Sequence, residues 1–137
     1  MGQMIALDAN VFIYALEGNV EFGRDSRLVL DAVANGLVAG HASELVYLEV
    51  LTGAGGEGNA HKLLEEIGLI YHPVTLDILL RAVTLRREYA LHTPDAIHIA
   101  SALSAGCTHF VTNDKNILRR KFPGIQITSL SSAVKLF

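Results

Sequence analysis

Short apolar runs alternate with longer helical stretches along this chain. Met4–Leu7 is apolar and stops at Asp8-Ala9-Asn10, and Val11–Leu16 then continues apolar, which predicts a strand, a cap and a helix. Helical character over Arg27–Ala34 ends at Asn35-Gly36, and Leu37–Ala42 follows as a second strand. Ser43 is placed to cap a helix over Glu44–Leu51, the glycine-rich Thr52–Asn59 reads as a loop, and a helix near Ala60–Glu66 comes next. Leu69–His72 is a third strand closed by Pro73, and Thr75 or Leu76 opens a long helix to about Ala90. Thr93-Pro94-Asp95 reads as an N-cap with proline at the first helical position, starting a helix to about Ala105 that Gly106 ends. His109–Thr112 and Ile125–Thr128 are the fourth and fifth strands. Between them a short helix begins at Asn113-Asp114 and breaks at Pro123-Gly124, and a last helical turn runs from Ser131. Such alternation predicts an α/β chain: a three-layer α/β/α sandwich around a mainly parallel sheet of about five strands.

Length and composition narrow the picture. At 137 residues the chain is expected to form a single domain, residues 1–137. Its lone Cys107 excludes an internal disulfide framework and suits a reducing compartment, the cytoplasm. No secretory leader is legible, because Asp8 falls inside what would be its apolar region. The uncharged stretch from Ala96 to Asn113 carries His98, Ser101, Ser104 and Thr108, too polar a composition for a bilayer span, and no membrane partner is expected. With eleven Lys plus Arg against fourteen Asp plus Glu, no strong global field attracts nucleic acid, so any such contact must be a local patch.

The acids carry the candidate chemistry. Ligands of open parallel sheets bind outside the carboxyl ends of the strands, where Asp8 and Asp114 fall, and Asp95 opens the helix leading into the fourth strand. Glu49 is a charged residue inside the apolar run Leu45–Leu51, stacked over Leu45 and Val46 rather than on a solvated stripe. Singly, each has an ordinary explanation: helix caps for Asp8 and Asp114, a helix-dipole partner for Asp95, an ion pair with a base such as Arg86 for Glu49. If the four converge, their repulsion calls for a cation. All-oxygen donors suit Mg²⁺ or Mn²⁺, whose usual task is activating water for attack on phosphorus. A haloacid-dehalogenase-type phosphatase would need a second acid where this chain has Asn10, and a receiver domain would need paired acids after its first strand.

Asp8-Ala9-Asn10-Val11 with Ile13–Leu16, the Glu49 helix with Ser43 upstream, Thr93-Pro94-Asp95-Ala96-Ile97-His98-Ile99-Ala100, and Phe110-Val111-Thr112-Asn113-Asp114, in that order, resemble the PIN-domain ribonucleases. The likeness runs from Met4 to about Thr128 and is closest to the toxins of VapBC toxin–antitoxin modules. It implies a metal-dependent endoribonuclease with Asp8, Glu49, Asp95 and Asp114 as catalytic, Mg²⁺- or Mn²⁺-holding residues. Asn10, Thr112 and Asn113 would form a shell that orients the carboxylates. It also implies in-line attack of water on RNA leaving a 3′-hydroxyl and a 5′-phosphate, a small antitoxin whose C-terminal segment blocks the acidic groove, and a homodimer. The alternative is a non-catalytic RNA-binding or scaffold protein with the same fold. For RNA contact the basic candidates are Lys115, Arg119, Arg120 and Lys121, and Arg24 and Arg27. His98, one turn after Asp95, reads as a helix residue hydrogen-bonded within the fold that could also reach a metal-bound water; Cys107 reads as packing.

Overall fold

The computed structural model describes residues 3–53 and 58–137. Strands β1 (Met4–Leu7), β2 (Ala39–Ser43), β3 (Ile70–His72), β4 (His109–Val111) and β5 (Gln126–Thr128) form one sheet in the order β3-β2-β1-β4-β5. Every pairing is parallel. Helices α1 (Ala9–Glu17), α2 (Gly23–Ala34), α3 (Leu45–Gly53), α4 (Gly58–Glu66), α5 (Leu76–Tyr89), α6 (Thr93–Ser104), α7 (Lys115–Leu118) and α8 (Leu130–Ala133) connect and follow the strands.

The strand period of two divides the core. On β1, Ile5 and Leu7 point into one apolar cluster with Val11, Phe12, Val29, Val46 and Leu64, from α1 to α4. Ala6 points the other way, toward Ile78, Leu85, Ile97, Ile99 and Phe110 under α5 and α6. On β4, Val111 and Phe110 split in the same manner. A strand covered on both faces needs apolar side chains on both, which is why β1 and β4 read as continuous apolar runs. Gly40 is where β2 meets α2 most closely: a Cβ there would lie 2.8 Å from Val33 and Leu69 side-chain carbons.

Several boundaries differ from those the sequence predicts, for local reasons. The second helix starts at Gly23, earlier than Arg27, because Asn19 Oδ1 accepts from the Glu21 and Phe22 amides and turns the chain into it. Thr93 is not the cap of α6: His92 holds that position with extended backbone, and Thr93 and Pro94 occupy the first turn. The final helix is capped by Ser129, whose hydroxyl accepts from the Ser132 amide. Of the expected loop Thr52–Asn59, Thr52 and Gly53 end α3 while Gly58 and Asn59 begin α4, and 54–57 lie outside the described residues. Among the described residues no helix is long and apolar enough to cross a membrane.

The strand order positions the site. The chain leaves β1 toward β2 on one side and later returns to β4 on the other, so the crevice beyond the carboxyl ends of β1 and β4 is the topological switch point. Leu7 pairs with Val111, so Asp8 and Thr112 emerge side by side, and the Asp8 amide donates to Val111 O at 3.0 Å.

Candidate metal centre

Asp8 ends β1 and caps α1, accepting from the Ala9 amide at 2.8 Å through Oδ1. Its Oδ2 accepts from the Thr112 hydroxyl at 2.7 Å and from Asn10 Nδ2 at 3.4 Å, and Asn10 also donates to Thr112 Oγ1 at 3.3 Å. Thr112 Oγ1 in turn accepts from the Asp114 amide at 3.0 Å. One buried hydroxyl thus ties the residues that follow β1 and β4. Asp114 spends Oδ1 on the Asn116 amide as the cap of α7. Asn113 sits apart from this group: its Oδ1 accepts from the Leu130 amide at 3.0 Å and fastens the start of α8.

Glu49 reaches the crevice from α3. Its partner is His98 rather than Arg86, whose Nε instead donates to Leu91 O at 3.0 Å. His98 Nε2 donates to Glu49 Oε1 and lies 4.0 Å from Asp8 Oδ1. The helical register explains the meeting. His98 lies three residues after Asp95, on the same face of α6, and that face looks past the end of β1 toward α3. The sequence signal for His98 was its place inside an apolar helical run one turn from an acid. Chain spacing alone could not single out Glu49 as its partner.

All four acids line one open cleft of about 650 Å³, together with Asn10, Ile13, Leu48 and Thr52. Asp8 and Glu49 in its lining and the buried His98 behind them each offer an atom, and these atoms lie within 4.8 Å of one another. Asp95 and Asp114 stand further along the wall.

The electrostatics are those of excess negative charge, which among the described residues His98 offsets only in part. Burial pushes the Asp8 carboxyl up, against the pull of His98 and of the Thr112 and Ala9 hydrogen bonds, while Glu49 adds to the rise. Burial, then the charges of Asp8 and Asp114, raise Asp95 to about 6. His98 is raised despite burial, by its bond to Glu49 and the charges of Asp8 and Asp95. Among the described residues no Lys or Arg lies within ion-pair distance of any of these acids. A set of oxygen donors in this state fits a hard divalent cation, which supplies the missing positive charge. The imidazole nitrogen could join this oxygen set only by giving up its proton and its bond to Glu49.

A family model described as the PIN domain matches residues 5–123. Among solved structures the chain is similar to a chain of a toxin-antitoxin complex from Klebsiella pneumoniae, at 26% identity and a TM-score of 0.67, covering 88% of this chain and 94% of that one. It is also similar to VapBC2 from Rickettsia felis bound to a promoter DNA fragment, at 15% identity and a TM-score of 0.67, covering 93% and 98%. A third is DNA-bound VapBC from Salmonella typhimurium, at 19% identity and a TM-score of 0.66, covering 95% and 99%. No curated protein matches in sequence.

Proposed function

The chain belongs to the PIN-domain family, and from that premise we propose that it is a metal-dependent endoribonuclease acting as the toxin of a toxin–antitoxin pair. The observation that carries the reading is that Asp8, Glu49, Asp95 and Asp114, from four separate segments, line one cleft at the switch point of the sheet. The similarity to the Klebsiella pneumoniae toxin-antitoxin complex supports the biological role.

These four acids would hold Mg²⁺ or Mn²⁺, with His98 as a neighbouring nitrogen. When bound, such an ion polarises a phosphoryl oxygen and lowers the pKa of water near it. The chain's own groups supply the positioning. Thr112 and Asn10 hold one Asp8 oxygen in place, the Ala9 amide holds the other, and His98 fixes Glu49 across the cleft from Asp8. A side chain fixed in this way needs little reordering when the phosphate arrives. The acids leave the cleft repulsive to RNA until cation charge is added, which makes activity conditional on the metal.

Exposed surfaces support the expected partners. Ile13 and Leu48 give the acidic cleft an apolar wall, and Leu48 is 65% exposed, so a peptide with a cation and apolar side chains fits it: this is the antitoxin segment of our reading. On α5, Leu76, Leu79, Leu80 and Val83 form an exposed stripe opposite the buried Ile78, Ala82 and Leu85. Asp77 in the first turn and Arg86 and Arg87 in the last complement one another when two copies pack this helix antiparallel, and we assign the homodimer to this face. The lone cysteine, which leaves no internal disulfide to form, is in keeping with a reducing, cytoplasmic setting.

The deciding experiment is cleavage of single-stranded and structured RNA with Mg²⁺ or Mn²⁺, comparing the native chain with Asp8→Asn. Asparagine keeps the cap oxygen while removing the charge, so the fold is retained and cleavage is expected to be lost. Equal cleavage by both proteins, with contaminating nuclease excluded, would overturn the assignment of the reaction to these acids, and RNA binding without cleavage by either would favour the non-catalytic RNA-binding or scaffold role.

A further inference from the structure

The four-residue helix α7 separates two kinds of charge. Asp114 caps its start and lines the acidic cleft, whereas Arg119 and Arg120 follow its end. At 1.5 Å per residue the two ends are roughly 7 Å apart along the axis. The arginines line a second, smaller cavity of about 170 Å³ with His92, Asn116 and Asp95. Asp95 lines both cavities, so the second begins where the acidic cleft ends.

The two guanidinium groups are anchored. Arg119 Nη2 donates to Asn116 Oδ1 at 3.2 Å, and Arg120 Nε donates to the Asn116 carbonyl at 3.0 Å. Among the described residues neither forms an ion pair with a carboxylate, so their charge is not neutralised. The net charge of −3 gives the protein no general attraction for a polyanion, which makes a local pair of held cations beside the cleft the more significant. Lys115 and Lys121, in the same basic segment, line neither cavity.

The geometry points to a backbone-phosphate subsite: the cavity of Arg119, Arg120, His92 and Asn116 receives a phosphate of the RNA strand neighbouring the one held at the carboxylates. This rests on the endoribonuclease reading. Planar guanidiniums with fixed nitrogens suit phosphate oxygens better than a mobile ammonium does. Such contacts carry no base information, so the subsite sets strand placement, and a single strand entering here has one phosphate against the cations and the next beside Asp95 and Asp114.

The test is binding of a short fluorescein-labelled single-stranded RNA by anisotropy in Ca²⁺, which supplies cation charge to the acids, between about 50 and 200 mM salt, with cleavage of the same RNA in Mn²⁺ measured in parallel. Arg119→Gln and Arg120→Gln are each expected to weaken binding several-fold and to lower the slope of log K against log salt by about 1. Arg81→Gln, the same charge loss on the exposed face of α5, serves as the comparison. Unchanged affinity and slope in both pocket variants, an equal loss in Arg81→Gln, or no RNA binding by the native chain would each overturn the subsite. Polyglutamate competing as well as RNA would also overturn it, by showing a site for acidic chains at large. Native protein that cleaves RNA while the pocket variants keep the native slope removes the subsite and leaves the nuclease. Native protein that never cleaves, with the slope lowered in the variants, removes the nuclease and leaves a phosphate site.

Discussion

Asp95→Asn isolates the repulsion inside the metal centre. Its carboxyl is raised from 3.8 to about 6 by burial and by Asp8 and Asp114. At about 1.4 kcal/mol per pH unit this corresponds to about 3 kcal/mol for a fully coupled group. Asp95 is half-buried, and solvent screening reduces the figure to about 1–2 kcal/mol. The sign follows from linkage. The folded state holds its proton more tightly than the unfolded state, so the metal-free protein loses stability as pH rises from about 4 to about 6 and carries the whole penalty above that. Asparagine removes the charge, and in EDTA at pH 7.5 the variant is expected to melt about 3–8 °C above the native chain, a gap that closes at pH 4. Adding Mg²⁺ or Mn²⁺ reverses the order. An ion at about a hundred times its Kd stabilises the native chain by about 2.7 kcal/mol, and the variant, short of one carboxylate, gains less. Differential scanning calorimetry at the two pH values, with and without the ion, measures all four quantities. A variant that melts lower than the native chain in EDTA at pH 7.5, or that gains as much from the ion, would refute the account of excess negative charge.

Other outcomes follow from single contacts. Thr112→Val removes the buried hydroxyl that serves Asp8, Asn10 and the Asp114 amide, so it is expected to cost about 1–3 kcal/mol in urea unfolding and to depress RNA cleavage. His98→Asn frees Glu49 from its imidazole donor; cleavage is expected to fall, with weaker Mn²⁺ binding by isothermal titration. Gly40→Ala forces a methyl against Val33 and Leu69 and should destabilise by about 1–3 kcal/mol, read from the urea midpoint. Leu80→Glu puts a charge in the middle of the exposed α5 stripe, and light scattering is expected to report a monomer at concentrations where the native chain is a dimer.

Much of the architecture was legible in residue order, because periodicity and punctuation act locally. The apolar run Met4–Leu7 with Asp8 behind it, Thr75 before the α5 stretch, and Asp114 before α7 each state a strand end or a cap within a few residues. Asp8, Asp95 and Asp114 were candidates for the same reason, since strand ends and helix starts are where an α/β sheet presents its chemistry. Glu49 stood out as a charge in an apolar run, but its partner did not. The sequence suggested a base such as Arg86, and only the packing of α3 beside α6 placed the His98 imidazole on the carboxylate while Arg86 turned to a backbone carbonyl.

The chain's local chemistry therefore determined which elements form, where they stop, and which acids stand at the stops. Tertiary structure decided the rest: that β4 lies directly beside β1, that one threonine hydroxyl serves acids 106 positions apart in the chain, Asp8 and Asp114, and that Asn113 is drawn off to α8. The physical reason is range. Caps and turns are satisfied by neighbours along the chain, whereas the field at a carboxylate depends on every charge within a few ångströms, whichever strand brings it there.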